Sequence, residues 1–102
     1  MKKISILFLI LLCNCTFLYA QQFSITGVVT DKKLNEPIIG ASVIVKGTTN
    51  GTVTDLDGNF TLQVSKENVL VISFIGYITQ EIKVNENQSS YNIQMSEDTQ
   101  TL

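Results

Sequence analysis

The stretch Thr54-Asp55-Leu56-Asp57-Gly58-Asn59-Phe60 sets two carboxylates two residues apart, with a glycine and an amide side chain directly after them. Three chemistries use oxygens in such an arrangement. Calcium is held by a helix–loop–helix segment through oxygens at loop positions 1, 3 and 5, a glycine at 6 and a bidentate glutamate at 12. Counted from Asp55, the glycine falls at 4 and Lys66 stands at 12, so that spacing fails. A looser calcium site through Asp55, Asp57 and Asn59 is the remaining metal option. Glycoside cleavage needs two carboxyls flanking a sugar, one of them with a raised pKa, in a concave and partly dry pocket. A solvated loop tip supplies no such burial. The third use is a turn: Asp and Asn side chains bond their own backbone, and Gly58 supplies a positive φ. The sequence therefore predicts a hairpin here, with Asp55 closing one strand and Phe60 opening the inward alternation of the next.

Other catalytic apparatus lacks its residues. There is no histidine, and both cysteines, Cys13 and Cys15, lie near the N-terminus. Without them the remaining chain has neither the usual zinc ligands nor a histidine-based triad, and it holds no glycine-rich phosphate loop. No catalytic residue, cofactor or metal is predicted, and the chain reads as a non-enzyme. Lys32 and Lys33 beside Asp31 read as a solvated turn. Sugar platforms commonly use exposed aromatics, but there is no tryptophan, and beyond the N-terminal segment the only tyrosines are Tyr77 and Tyr91. Tyr91 has inward parity, and Phe23, Phe60 and Phe74 are core candidates. Asn50, Asn59 and Asn87 each begin an N-x-S/T triplet, which polar turns explain equally well.

The first twenty residues have the layout of a secretory signal peptide. Lys2 and Lys3 precede an apolar run from Ile4 to Leu12, and Leu18-Tyr19-Ala20 ends on a small residue, so cleavage is predicted between Ala20 and Gln21. The apolar run is shorter than the ~20 residues a spanning helix requires. Both cysteines leave with this segment, so export would permit disulfides but none can form. Of the seven cationic residues two leave as well, and five lysines face nine acids, a formal charge of −4. Nucleic acid is thereby excluded as a partner, and attraction to an anionic membrane surface is disfavoured.

The elements that must position these residues are strands. Apolar residues recur with a period of two and nowhere with 3.6 over a helix-length window. Strands are expected at about 23–31, 41–47, 51–55, 59–64, 69–75, 77–84 and 90–95. Val69 to Ile75 is apolar on both faces except at Ser73, which predicts a central strand buried on both sides. Lys66 and Glu67 guard its start. Asn50-Gly51 reads as a tight turn because both residues tolerate positive φ, Asn35-Glu36-Pro37 as a break, and Gly76 as a bend. Seven short strands with these turns predict an all-β sandwich over residues 21–96. Residues 97–102 are read as a polar tail or the start of a linker, and the chain from Ser96 onward is expected to be loose.

Four segments together carry a family likeness: Gly27 to Asp31, Pro37 to Gly47, Asn50 to Phe60, and Phe74-Ile75-Gly76-Tyr77. They resemble the carboxypeptidase-regulatory-like domain, and more closely the version that opens SusC-type TonB-dependent outer-membrane transporters of Bacteroidetes. The resemblance covers about residues 24 to 96. It implies a transthyretin-like (prealbumin-like) Greek-key sandwich of seven strands on the periplasmic side of the outer membrane. The implied protein partners are a plug and barrel and the TonB system, and the implied cargo is a glycan or another nutrient. Such transporters continue with a short acidic-apolar segment that contacts TonB, and "SEDTQTL" is not of that kind. The expectation is a non-catalytic N-terminal accessory domain, the front fragment of a longer protein that touches the membrane only through a barrel further along the chain. The alternative is a free-standing exported sandwich that binds a glycan or a protein.

Overall fold

The computed structural model describes residues 22–99. The predicted signal peptide, with its cleavage point between Ala20 and Gln21, lies outside them. Seven strands follow in order: β1 (Gln22–Asp31), β2 (Ser42–Val45), β3 (Gly51–Val53), β4 (Asn59–Ser65), β5 (Val69–Ser73), β6 (Gln80–Lys83) and β7 (Ser90–Met95). Among the described residues there is no helix. Two sheets form the sandwich, one ordered β4-β1-β7 and the other β3-β2-β5-β6.

Alternation produces each layer. β4 and β7 bury every second residue, Phe60, Leu62 and Val64 on one and Tyr91, Ile93 and Met95 on the other. These meet Ile25 and Val29 of β1 and, from the facing sheet, Val43, Leu70 and Ile72, all five fully buried. Each such aliphatic side chain contributes about 1.5–3 kcal/mol of transfer free energy. β1 pairs with β4 antiparallel but with β7 parallel, Thr26 beside Ser90 through Asp31 beside Met95. The first and last strands are thus neighbours.

The outward faces differ in chemistry. On the β4-β1-β7 sheet the outward positions are Ser, Thr, Asn and Gln, apart from a half-buried Val28. On the other sheet Ile44 lies beside Val71 and Gly51, and Val69 and Val53 point the same way. Charge is confined there to the β6 side, where Lys46 pairs with Glu81 at 2.8 Å.

Several expectations are corrected. β5 is central, but only Leu70 and Ile72 are fully buried, while Val69, Val71 and Ser73 are half-exposed. Two layers leave no third to cover their side. The strand stops at Ser73, and Ile75 is 90% exposed. The strand expected from residue 77 begins only at Gln80, because residues 76–78 turn at Gly76 (φ +88°) and bond the chain after β7 instead. Ile78 N–H donates to Ser96 O and Asp98 N–H to Gly76 O, both at 2.9 Å, with Tyr77 bridged to Glu97. The segment after Ser96, expected loose, is therefore stitched down through Asp98. Asn50-Gly51 is not the positive-φ pair: Gly47 takes φ +80° in that connection. Gly51 opens β3, where a Cβ would stand 2.8 Å from Val43 O and from Ile44 Cγ1, so close packing is what calls for glycine there. Asn50 instead caps the loop, its Nδ2 donating to Gln63 O at 2.8 Å.

Candidate functional site

The acidic segment is not a hairpin. β3 pairs with β2 and β4 with β1, so residues 54–58 carry the chain from one sheet to the other. Asp55 Oδ1 accepts N–H bonds from Asp57 (3.0 Å) and Asn59 (2.9 Å), and the Asp55 backbone exchanges bonds with Gly58 and Asn59. One carboxylate thus organises the corner by holding its own backbone. Asp57 and Leu56 are exposed, whereas Gly58 is buried at φ +77° and its carbonyl accepts from Val29 N–H at 2.8 Å. Thr54, also buried, donates to Ile38 O at 2.6 Å and accepts from Ala41 N–H at 2.9 Å, which ties the corner to the loop before β2. Asp55→Ala is expected to cost about 1–2 kcal/mol, for two lost backbone bonds, and Asp57→Ala less than about 0.5 kcal/mol. Urea denaturation of the two variants separates them.

A second carboxylate lies where the sequence suggested only a solvated turn. Asp31 ends β1 with 4% of its surface exposed. Its Oδ1 accepts from Lys33 N–H (2.8 Å) and Leu34 N–H (2.9 Å), and its Oδ2 from the Tyr77 hydroxyl at 2.6 Å. Position 31 continues the inward parity of Ile25, Gly27 and Val29, and that was the available signal; the lysines after it masked the signal. Tyr77 follows the bend at Gly76 and tilts its ring against Phe74 at a centroid distance of 6.0 Å. The clasp therefore joins the end of β1, the loop between β5 and β6, and the chain leaving β7. Beside it lies an open groove of about 440 Å³ lined by Asp31, Lys32, Lys33, Met95, Ser96, Glu97 and Thr99.

The hydrogen bond from Tyr77 is the main cause holding the Asp31 carboxyl below its ordinary value of 3.8; the N–H groups of Leu34 and Lys33 and the Lys33 charge add to it, against burial. The same bond, then burial and the charges of Asp31, Glu97 and Glu36, push the Tyr77 phenol up to about 12. A carboxyl depressed on folding contributes stability that is complete above its unfolded value and lost as pH falls through the folded one. A phenol raised on folding contributes stability that is complete below pH 10 and lost as pH climbs towards 12. Asp31→Asn should accordingly bring the Tyr77 phenolate transition, followed by ultraviolet absorbance, back towards 10. It should also lower the melting temperature at pH 7 and flatten its dependence on acid below pH 3.8.

The structure brings together Asp55 and Gly58 at the corner and, separately, Asp31 and Tyr77 at the clasp. Gly76 belongs to the clasp's own loop, directly before Tyr77, whereas Asn50 and Gly51 stand apart at the β2–β3 connection. Among the described residues no group of three or more His, Cys, Asp or Glu is placed to hold a metal ion.

Comparison with known proteins adds to this geometry. Residues 25–102 match the family model described as the CarboxypepD_reg-like domain. The chain is 46% identical over 84 residues, 82% of its length, to the TonB-dependent receptor SusC of Bacteroides thetaiotaomicron. It is 40% identical over 81 residues, 78% of its length, to TonB-dependent receptor P3 of Formosa agariphila. It spans only 8% of the length of either relative. Among solved structures, two interface mutants of a type II cohesin–X–dockerin complex from Acetivibrio cellulolyticus share the fold. Their TM-scores are 0.59 and 0.56, at 22% and 24% identity, over 78% and 71% of this chain and 60% and 56% of theirs.

Proposed function

The chain belongs to the CarboxypepD_reg-like domain family, and from that membership we propose that it is the N-terminal accessory domain of a SusC-type TonB-dependent outer-membrane transporter. It stands on the periplasmic side, is non-catalytic, and acts through contacts with the plug, the barrel and the TonB system. Nutrient or glycan specificity then belongs to the barrel and plug. The observation that carries this reading is the 46% identity to SusC over 82% of this chain, which matches only 8% of that receptor.

The sandwich geometry supports a binding rather than a catalytic role. The carboxylate most suited to chemistry by sequence, Asp55, is occupied in holding its own corner, and the buried one, Asp31, is clasped by three donors. The gene is expected to continue in frame past Leu102 into a plug and a series of ~10-residue alternating strands. An in-frame stop there, without barrel-coding sequence, removes the proposal. In the intact receptor, deletion of residues 22–96 should impair nutrient uptake or outer-membrane assembly. Uptake and receptor abundance both equal to wild type would leave no accessory role.

A further inference from the structure

We infer that the outward face of the β3-β2-β5-β6 sheet, from Ile44 and Val71 to the loop bearing Ile75 and Ile78, is where the remainder of the receptor polypeptide docks after leaving the sandwich. This inference rests on the accessory-domain reading. Two independent observations point to this face. The first is the contrast between the two outer surfaces: the β4-β1-β7 face offers hydroxyl and amide groups suited to water, whereas the opposite face lines up Ile44, Val53, Val69 and Val71 without a charge among them. Its charges lie along β6 and the end of β2, where Glu81 stands opposite Val71 and pairs with Lys46, and Lys83 stands opposite Val69, a charged rim along one side of the apolar residues. Beyond the outward Ser42–Ser73 pair, the loop after β5 adds Ile75 and Ile78, 90% and 52% exposed.

The second observation is the path of the chain. After β7, which belongs to the polar-faced sheet, residues 96–98 cross over and bond the loop between β5 and β6 of the other sheet. The Asp98 N–H bond to Gly76 O, at 2.9 Å, fixes the point of departure beside Ile75, and the Tyr77–Asp31 bond holds that loop to the body of the domain. Thr99, the last described residue, lies at that same end of the sandwich, beside the groove lined by Asp31, Lys32 and Lys33. A tethered partner at that point has an effective concentration on the order of millimolar, so modest apolar contact suffices to seat it. In the SusC relative the chain length beyond a domain of this size is more than ample, since the matched portion is 8% of the receptor. The occupant is thus a covalently linked segment presenting apolar side chains.

Hydrogen exchange read by mass spectrometry on residues 74–79 tests the assignment, comparing the intact receptor with the 102-residue chain. Exchange at least tenfold slower in the receptor is expected. The double variant Ile44→Lys/Ile75→Lys should return it to the rate of the short chain, while Thr26→Lys/Asn92→Lys on the opposite face should leave it slow. Both variants alter exposed positions, and an unchanged melting temperature of the short chain verifies that each folds. Equal rates in receptor and short chain overturn the inference, as does protection that only the Thr26→Lys/Asn92→Lys variant removes. Protection that appears in the short chain with rising concentration, together with a dimer in sedimentation, overturns it in favour of a second copy. A gene lacking plug and barrel overturns the accessory-domain reading itself, a failure distinct from equal rates in an intact receptor.

Discussion

Gly58→Val is expected to lower the unfolding free energy by about 2–6 kcal/mol, out of the roughly 4–12 kcal/mol available to a domain of this size. Two causes add. The backbone holds φ +77°, which a β-branched side chain tolerates poorly. A Cβ would also stand 2.6 Å from the Val29 carbonyl oxygen and 3.0 Å from Pro37 Cβ, so β1 or the Pro37 loop must move. The Val29 N–H bond to Gly58 O passes through the same contact. Gly76→Ala is the control, since its φ of +88° carries the strain alone, with no atom within 4 Å of an added Cβ, and about 1 kcal/mol is expected. Urea denaturation with an unchanged m-value checks both. A Gly58→Val midpoint matching that of Gly76→Ala would mean that the corner does not rest on β1.

The second large effect concerns the middle of β1. Gly27 lies between Phe60 of β4 and Tyr91 of β7, and a Cβ there would overlap the Cε1 and Cζ atoms of the Phe60 ring and approach Tyr91 O at 3.0 Å. The ring fills the space a side chain would take. Phe60→Ala should cost about 3–5 kcal/mol through the cavity it leaves, and Gly27→Val about 1–3 kcal/mol through overpacking. Combined, the valine methyls occupy part of the vacated ring volume. The double variant should therefore be less destabilised than the two costs together, by about 0.5–3 kcal/mol. Chemical denaturation of the four-member cycle measures this, and simple additivity would show that the ring does not lie over Gly27.

The strands were largely legible before the structure because period-two burial is a local property. Phe60, Leu62 and Val64 must share a face whatever they meet. Gly58 was legible for a similar reason, since a turn of that composition requires one residue at positive φ. The Asn50-Gly51 expectation failed because the chain turns earlier, at Gly47, while Gly51 is already part of β3 and packed against Ile44. Asp31 and Tyr77 are 46 residues apart, so no local pattern links them. The polar neighbours of Asp31 argued for solvent, while its parity argued for burial, and only the arrival of the loop after β5 decided between them.

By itself, then, the sequence determined that this protein is built of short alternating strands, where most of them run, that its acidic corner is turn chemistry, and which family its motifs resemble. Each of these follows from neighbours along the chain. Tertiary structure alone decided that residues 54–58 cross between sheets, that β7 lies parallel to β1, that Asp31 is buried under Tyr77, and that Asp98 is bonded to Gly76 next to Ile75. Those are pairings between segments tens of residues apart. Many partners satisfy the same alternation, and the choice among them is made by the packing of two layers over one core.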